Sequence, residues 1–224
     1  MFLTIGQVIS PSELSEIRKA LGLLNWRPGV ETAGATARAV KRNEQVDLTT
    51  SVGKKLQDRL KSAISGHPIV QAYGRPARMS PPMISRTRNG GGYGLHIDNS
   101  IMGRGADTVR TDLSYTLFLN DPESYEGGHL AIELAGTTQR AKCVAGDLVI
   151  YPSTTLHGVE PVTSGERIVC VGWIQSQIRS GDQRELLFDL ENLKAELSQT
   201  HDANSAEMLT LAKTMGNLKR MWMD

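Results

Sequence analysis

Apolar residues recur at helical spacing along the first part of the chain. Leu14, Ile17, Leu21 and Leu24 follow one another at intervals of three, four and three, which puts them on one face of a helix. Ser10 precedes them as an N-cap, with Pro11 at the first helical position and Glu13 three after the cap, so the first free amides find partners. Val52, Leu56, Leu60 and Ile64 predict a second helix over 51–65, stopped by Gly66 and His67-Pro68. Between the helices, residues 29–49 are polar and rich in Ala, Thr and Gly, the pattern of a loop. Its Arg38, Lys41 and Arg42 read as solvated charges, with a substrate-gripping lid as the second reading.

From about residue 80 the period changes to two. Strands are predicted over 82–88, 93–98, 109–119, 128–134, 138–145, 147–151, 156–162 and 166–175, separated by turn clusters such as Asn89-Gly90-Gly91-Gly92 and Thr163-Ser164-Gly165. Eight short strands in about 95 residues predict a sandwich or a jelly roll. Helical spacing returns near the end. Asp182 with Glu185 offers a capping box, Leu186, Leu190, Leu193 and Leu197 one stripe, and Met208, Leu211, Met215, Leu218 and Trp222 another. A stripe of the second kind is core or a dimer seam, and a homodimer contact through the C-terminal helices is the expectation. There is no internal repeat. The chain therefore reads as one domain over 1–224: a helical part at 1–79, a β core at 80–178 and a helical tail at 179–224.

Composition narrows the function. At 224 residues the chain is long enough to bury roughly 70% of its unfolded surface without a covalent or metal staple. The 25 Lys and Arg nearly cancel 24 Asp and Glu, which disfavours a nucleic-acid partner. Two cysteines, Cys143 and Cys170, exclude a disulfide scaffold and read as packed residues. The N-terminus has no basic region ahead of a long apolar run, and no window is apolar enough to span a bilayer, so a cytoplasmic protein without membrane contact is expected.

Within the predicted strands, His96 and Asp98 stand two apart and share a face. His157, 59 residues beyond Asp98, adds a second imidazole. Two histidines and one carboxylate form a facial triad that leaves metal positions open and suits non-haem Fe(II). A zinc hydrolase uses a similar set. Arg167, ten residues after His157, shares an alternating inward face with Val169, Val171 and Trp173. An inward guanidinium needs an anion, and its planar fork matches a carboxylate. A dicarboxylic co-substrate such as 2-oxoglutarate meets that need. An internal salt bridge is the alternative.

These segments also carry a resemblance. Tyr93-Gly94-Leu95-His96-Ile97-Asp98-Asn99, Arg110-Thr111-Asp112-Leu113-Ser114, Thr116-Leu117-Phe118-Leu119 and Gly127-Gly128 come first. Gly146-Asp147-Leu148-Val149-Ile150-Tyr151-Pro152-Ser153, Leu156-His157, Pro161-Val162, Gly165-Glu166-Arg167 and Leu186-Leu187-Phe188-Asp189-Leu190 follow. In order and spacing they resemble the PKHD-type hydroxylases, a bacterial branch of the prolyl-4-hydroxylase-like Fe(II)/2-oxoglutarate dioxygenases. The resemblance implies a double-stranded β-helix core of the jelly-roll or cupin-like kind, mainly β with flanking helices. It implies Fe(II) on His96, Asp98 and His157, and the distal carboxylate of 2-oxoglutarate on Arg167. Tyr93 takes a catalytic-pocket position lining iron and substrate. Strict alternation puts Tyr93 opposite His96, so a bulge at Gly94 or a later strand start is expected.

The implied activity is hydroxylation of a C–H bond with O2, of a peptidyl proline, another amino-acid side chain or a small molecule. Ascorbate dependence comes with the resemblance, as does an association of some members with iron uptake. The alternative is a non-catalytic jelly roll sensing iron or 2-oxoglutarate. Two positions depart from the pattern. His129 follows Gly-Gly where Glu is common and reads as a partly exposed strand residue, with a polar group of the pocket as the second reading. Tyr115 replaces a smaller residue and reads as repacking of the outer core face. His67 and His201 read as cap and surface groups.

Overall fold

The computed structural model describes residues 1–32, 40–105 and 108–224. Its elements run β1 (Leu3–Ile5), α1 (Pro11–Leu21), β2 (Trp26–Pro28), β3 (Lys41–Arg42), β4 (Glu44–Val46) and α2 (Ser51–Gly66). Strands β5 (Pro76–Met79), β6 (Met83–Arg88), β7 (Gly92–His96), β8 (Ile101–Met102), β9 (Val109–Arg110) and β10 (Leu113–Phe118) follow. Then come β11 (Tyr125–Gly127), β12 (Leu130–Leu134), β13 (Thr137–Ala141), β14 (Leu148–Pro152), β15 (His157–Val159) and β16 (Val162–Ser176), and last α3 (Gly181–Leu197) and α4 (Ala206–Trp222).

Two antiparallel sheets face each other as a jelly roll. The larger has the order β1-β14-β10-β16-β6-β4-β2, with β5 and β11 also paired to β16. The smaller has the order β13-β12-β15-β7-β3. Alternation along β10 divides the interior. Leu113, Tyr115 and Leu117 join a cluster with Ile17 of α1 and Leu60 and Ile64 of α2, so the helices cover the outer face of the large sheet. Phe118 joins Leu130, Ile132, Tyr151 and Val169 between the sheets. Leu60 and Ile64 are fully buried, and each contributes roughly 1.5–3 kcal/mol by leaving water. Tyr115 is likewise buried on the helix side.

The capping box of α1 forms as expected, with Ser10 accepting from Glu13 N and the Glu13 carboxylate accepting from Ser10 N. Elsewhere the pattern misleads. The segment 29–49 is not merely a loop: β3 adds to β7 of the small sheet, and β4 bridges β2 and β6 of the large one. Lys41 is buried rather than solvated, Arg42 is exposed, and Arg38 lies outside the described residues. The N-cap of α3 is Ser180, not Asp182, with Ser180 accepting from Gln183 N. The buried face of α3 is Arg184, Leu187 and Phe188; Leu186 and Leu193 of the expected stripe are exposed. Arg184 takes an inward position because its Nη1 donates to the carbonyls of Ile178 and Arg179. On α4, Met208 and Met215 are buried where that helix packs against α3 within the chain. No helix among the described residues is long and apolar enough to cross a membrane.

Candidate metal centre

The register between β7 and β15 sets His96 opposite His157 and Tyr93 opposite Val159. Three steps along β7 therefore oppose two along β15, a bulge that turns Tyr93 onto the face of His96. The rings of Tyr93 and His96 stack with centroids 3.6 Å apart and planes at 14°. Gly158 sits in the bulge, where a side chain would meet the Tyr93 carbonyl oxygen at 2.8 Å.

Both imidazoles are oriented by their own strands. His96 Nδ1 lies 2.8 Å from the Gly94 carbonyl oxygen, and His157 Nδ1 lies 3.0 Å from that of Thr155. A carbonyl oxygen only accepts, so each Nδ1 carries the proton and each Nε2 keeps its lone pair for a metal. Burial first, and His157 second, pull the pKa of His96 down to about 4, so its ring is neutral at pH 7.

Asp98 lies just past the end of β7. Its Oδ2 is 3.5 Å from His157 Nε2 and its Oδ1 is 3.9 Å from His96 Nε2. Ligand atoms of the three residues all fall within 4.8 Å of one another, close enough to share one ion. Asp98 Oδ2 accepts from Ser114 Oγ at 2.6 Å and from Trp173 Nε1 at 2.8 Å. Ser153 Oγ stands 2.7 Å from Ser114 Oγ and donates to it, since the Ser114 proton is committed to the carboxylate. These contacts fix the carboxylate and leave Oδ1 for a metal.

Arg167 faces the same cleft from β16 and is 2% exposed. Its guanidinium lies over the Phe118 ring at 5.3 Å. Gly128 makes room for it: a side chain there would reach Arg167 Cδ at 3.0 Å. Nε and Nη2 of Arg167 are buried without a hydrogen-bond partner. No carboxylate pairs with Arg167 among the described residues, so the internal salt bridge does not form. Burial pulls its pKa down, but a guanidinium stays charged. A buried charge of this kind is costly until an anion reaches it, which fits a bound carboxylate.

One cleft, open to solvent, is lined by residues from both sheets. It brings together Tyr93, His96, Asp98, His157 and Arg167. Burial pushes the Tyr93 phenol up to about 12, so it stays protonated. Pattern reading missed the roles of Ser114 and Ser153, gave Trp173 a face but no partner, and read Lys41 first as solvated, where the structure puts it in the cleft lining. His129 stands apart: half-exposed, with Nδ1 3.2 Å from Glu160 Oε2. Cys170 is fully buried on β16. Cys143 lies just past β13 rather than within a strand reaching 145, half-buried, and burial pushes its thiol up to about 11. His67 closes α2, and His201 is exposed.

Comparison with known proteins agrees with this geometry. Residues 82–175 match the 2OG-Fe(II) oxygenase superfamily. A PKHD-type hydroxylase of Hyphomonas neptunium is 53% identical over 222 residues, covering 99% of each chain. A PKHD-type hydroxylase of Synechococcus elongatus is 41% identical, again over 99% of each. Among solved structures, a prolyl hydroxylase from Trichoplax adhaerens, in complex with a peptide of the hypoxia-inducible factor oxygen degradation domain, superimposes with a TM-score of 0.60. It is 15% identical, with 83% of this chain and 86% of that one covered, a likeness of fold.

Proposed function

The chain belongs to the PKHD-type hydroxylases within the 2OG-Fe(II) oxygenase superfamily, and from that premise we propose that it hydroxylates an aliphatic C–H bond of an amino acid, a peptidyl side chain or a related small molecule. The observation that carries this reading is the shared cleft: three aligned metal donors and an unpaired buried guanidinium.

Fe(II) would be held by His96 Nε2, Asp98 and His157 Nε2, and the distal carboxylate of 2-oxoglutarate by Arg167. Together they supply oxygen activation, in which one oxygen atom enters the substrate C–H bond and the other enters succinate as carbon dioxide is lost. The protein's part is positional. The carbonyls of Gly94 and Thr155 keep both Nε2 atoms aimed inward. Ser114 and Trp173 stop the Asp98 carboxylate from rotating. Tyr93 covers His96 on the cleft side and keeps its proton. Leu130, Val169 and Val171 line the cleft and limit water near the reacting atoms.

Ascorbate serves as the reductant that keeps the iron ferrous, the protein works in the cytoplasm, and its partner is a small molecule or peptide. A homodimer through the C-terminal helices would use Leu186, Leu193 and Leu209, which are exposed. The test is aerobic incubation with Fe(II), 2-oxoglutarate and a candidate substrate library, read by mass spectrometry. Hydroxylated product with equimolar succinate supports the reading. Turnover that persists without oxygen, or without 2-oxoglutarate, contradicts it.

A further inference from the structure

The cleft holds a second buried cation that has no part in the chemistry above. Lys41 is 8% exposed and lines the same cavity. It sits on β3 directly opposite Tyr93 of β7, and its Nζ lies 5.5 Å from the centroid of the Tyr93 ring that stacks on His96. The ammonium and a candidate metal ligand therefore approach the same ring. Its charge and that of Arg167 occupy different surroundings. Asp98 is the charged neighbour felt by Lys41, whereas Tyr125, Tyr151 and Cys143 surround Arg167. Asn43, Ser85 and Thr87 line the cleft as well and give it a polar wall.

The sign of the charge points to the ligand. Lys41, Asp98 and Arg167 are the charged residues lining the cleft among those described. With a divalent metal and dianionic 2-oxoglutarate in place, the formal charges of metal, co-substrate, Asp98 and Arg167 cancel. Lys41 adds a further positive group to the cleft wall, which favours an anionic group on the ligand beside it. Low dielectric strengthens that preference and holds the ammonium protonated once the anion is bound.

We propose that Lys41 anchors a carboxylate of the primary substrate, so that the substrate is a carboxylic acid, such as a free or N-acylated amino acid, rather than a residue inside a peptide chain. The proposal rests on the Fe(II)/2-oxoglutarate reading. It makes Lys41 a specificity-determining residue that touches substrate and leaves 2-oxoglutarate binding to Arg167.

The test separates the two layers. Wild-type protein is loaded anaerobically with Fe(II) and 2-oxoglutarate, and the charge-transfer band of that complex is recorded. It is then titrated with free and N-acetyl amino acids, with their primary amides, and with peptides carrying the same residues internally. Acids should shift the band, with the amides roughly ten- to a hundredfold weaker. Lys41→Met should form the band at unchanged 2-oxoglutarate affinity yet bind acid and amide alike, and Lys41→Arg should restore part of the preference. Lys41→Gln repeats the measurement should the Met variant fail to load metal. Amides or internal peptides that bind as well as acids overturn the proposal. So do an acid preference retained in both neutral variants, a library in which no acid shifts the band, or neutral variants with weakened 2-oxoglutarate binding. Absence of the band in wild-type protein instead overturns the iron reading beneath it.

Discussion

The two ends of the cleft are built differently. At the metal end, β7 against β15 aligns the histidines, and β10 against the 15-residue β16 places Ser114 beside Trp173 on Asp98. At the other end, β3 and β4 are two and three residues long and lead from residues 33–39, which lie outside the described part of the chain. On the proposed reading, the first end holds the same metal and co-substrate at each turnover. The second presents a lysine and a few neutral polar groups, an arrangement that can differ between substrates while the chemistry stays fixed.

Removing Asp98 should affect the metal end most. Asp98→Ala deletes one of three ligands and leaves Ser114 and Trp173 without their acceptor, so turnover and the charge-transfer band should both fall to background; retained activity would break the contrast. Arg167→Met comes next. It should raise the 2-oxoglutarate requirement roughly ten- to a hundredfold. In ligand-free protein it should leave Tm unchanged or raise it, because it removes a buried charge without a partner. A fall of several degrees would mean that the guanidinium is structural.

Trp173→Phe keeps the ring but removes the donor to Asp98. Metal affinity should weaken about tenfold or somewhat more, with 2-oxoglutarate affinity at saturating metal unchanged. The smallest effect is a pH dependence. The pKa of His96 falls from an ordinary value near ~6.5 to about 4 on folding. The unfolded chain therefore binds more protons between those limits. Metal-free stability is fully present above pH ~6.5 and is lost as pH falls toward about 4. His96→Gln should flatten the slope of Tm against pH in that window.

The metal end was legible in the sequence because its signals are sparse and periodic. His96, His157 and Arg167 are polar residues on inward strand positions, Asp98 follows two after His96, and the bulge that turns Tyr93 toward His96 was one of two expected ways to bring it there. The lysine end was legible only in part: residues 29–49 read as a loop with a substrate-gripping lid as the second reading, and strands as short as β3 and β4 hold no period. Lys41 sits in a polar run and looks solvated until β3 pairs with β7. Ser114 and Ser153 are ordinary strand serines until the fold sets them 2.7 Å apart. On α3, Arg184, whose Nη1 donates to two carbonyls, takes the buried face with Leu187 and Phe188, while Leu186 and Leu193 are exposed. In each case a tertiary contact outweighs the local pattern.

The proposed arrangement is one cleft with Fe(II) on His96, Asp98 and His157 and 2-oxoglutarate against Arg167. Anaerobic titration of the Fe(II) protein with 2-oxoglutarate, followed by visible absorption, tests it most directly. A saturable charge-transfer band in wild-type protein, absent in Asp98→Ala and shifted to much higher 2-oxoglutarate concentration in Arg167→Met, is the predicted result. No band, or a midpoint that Arg167→Met leaves unmoved, would contradict it.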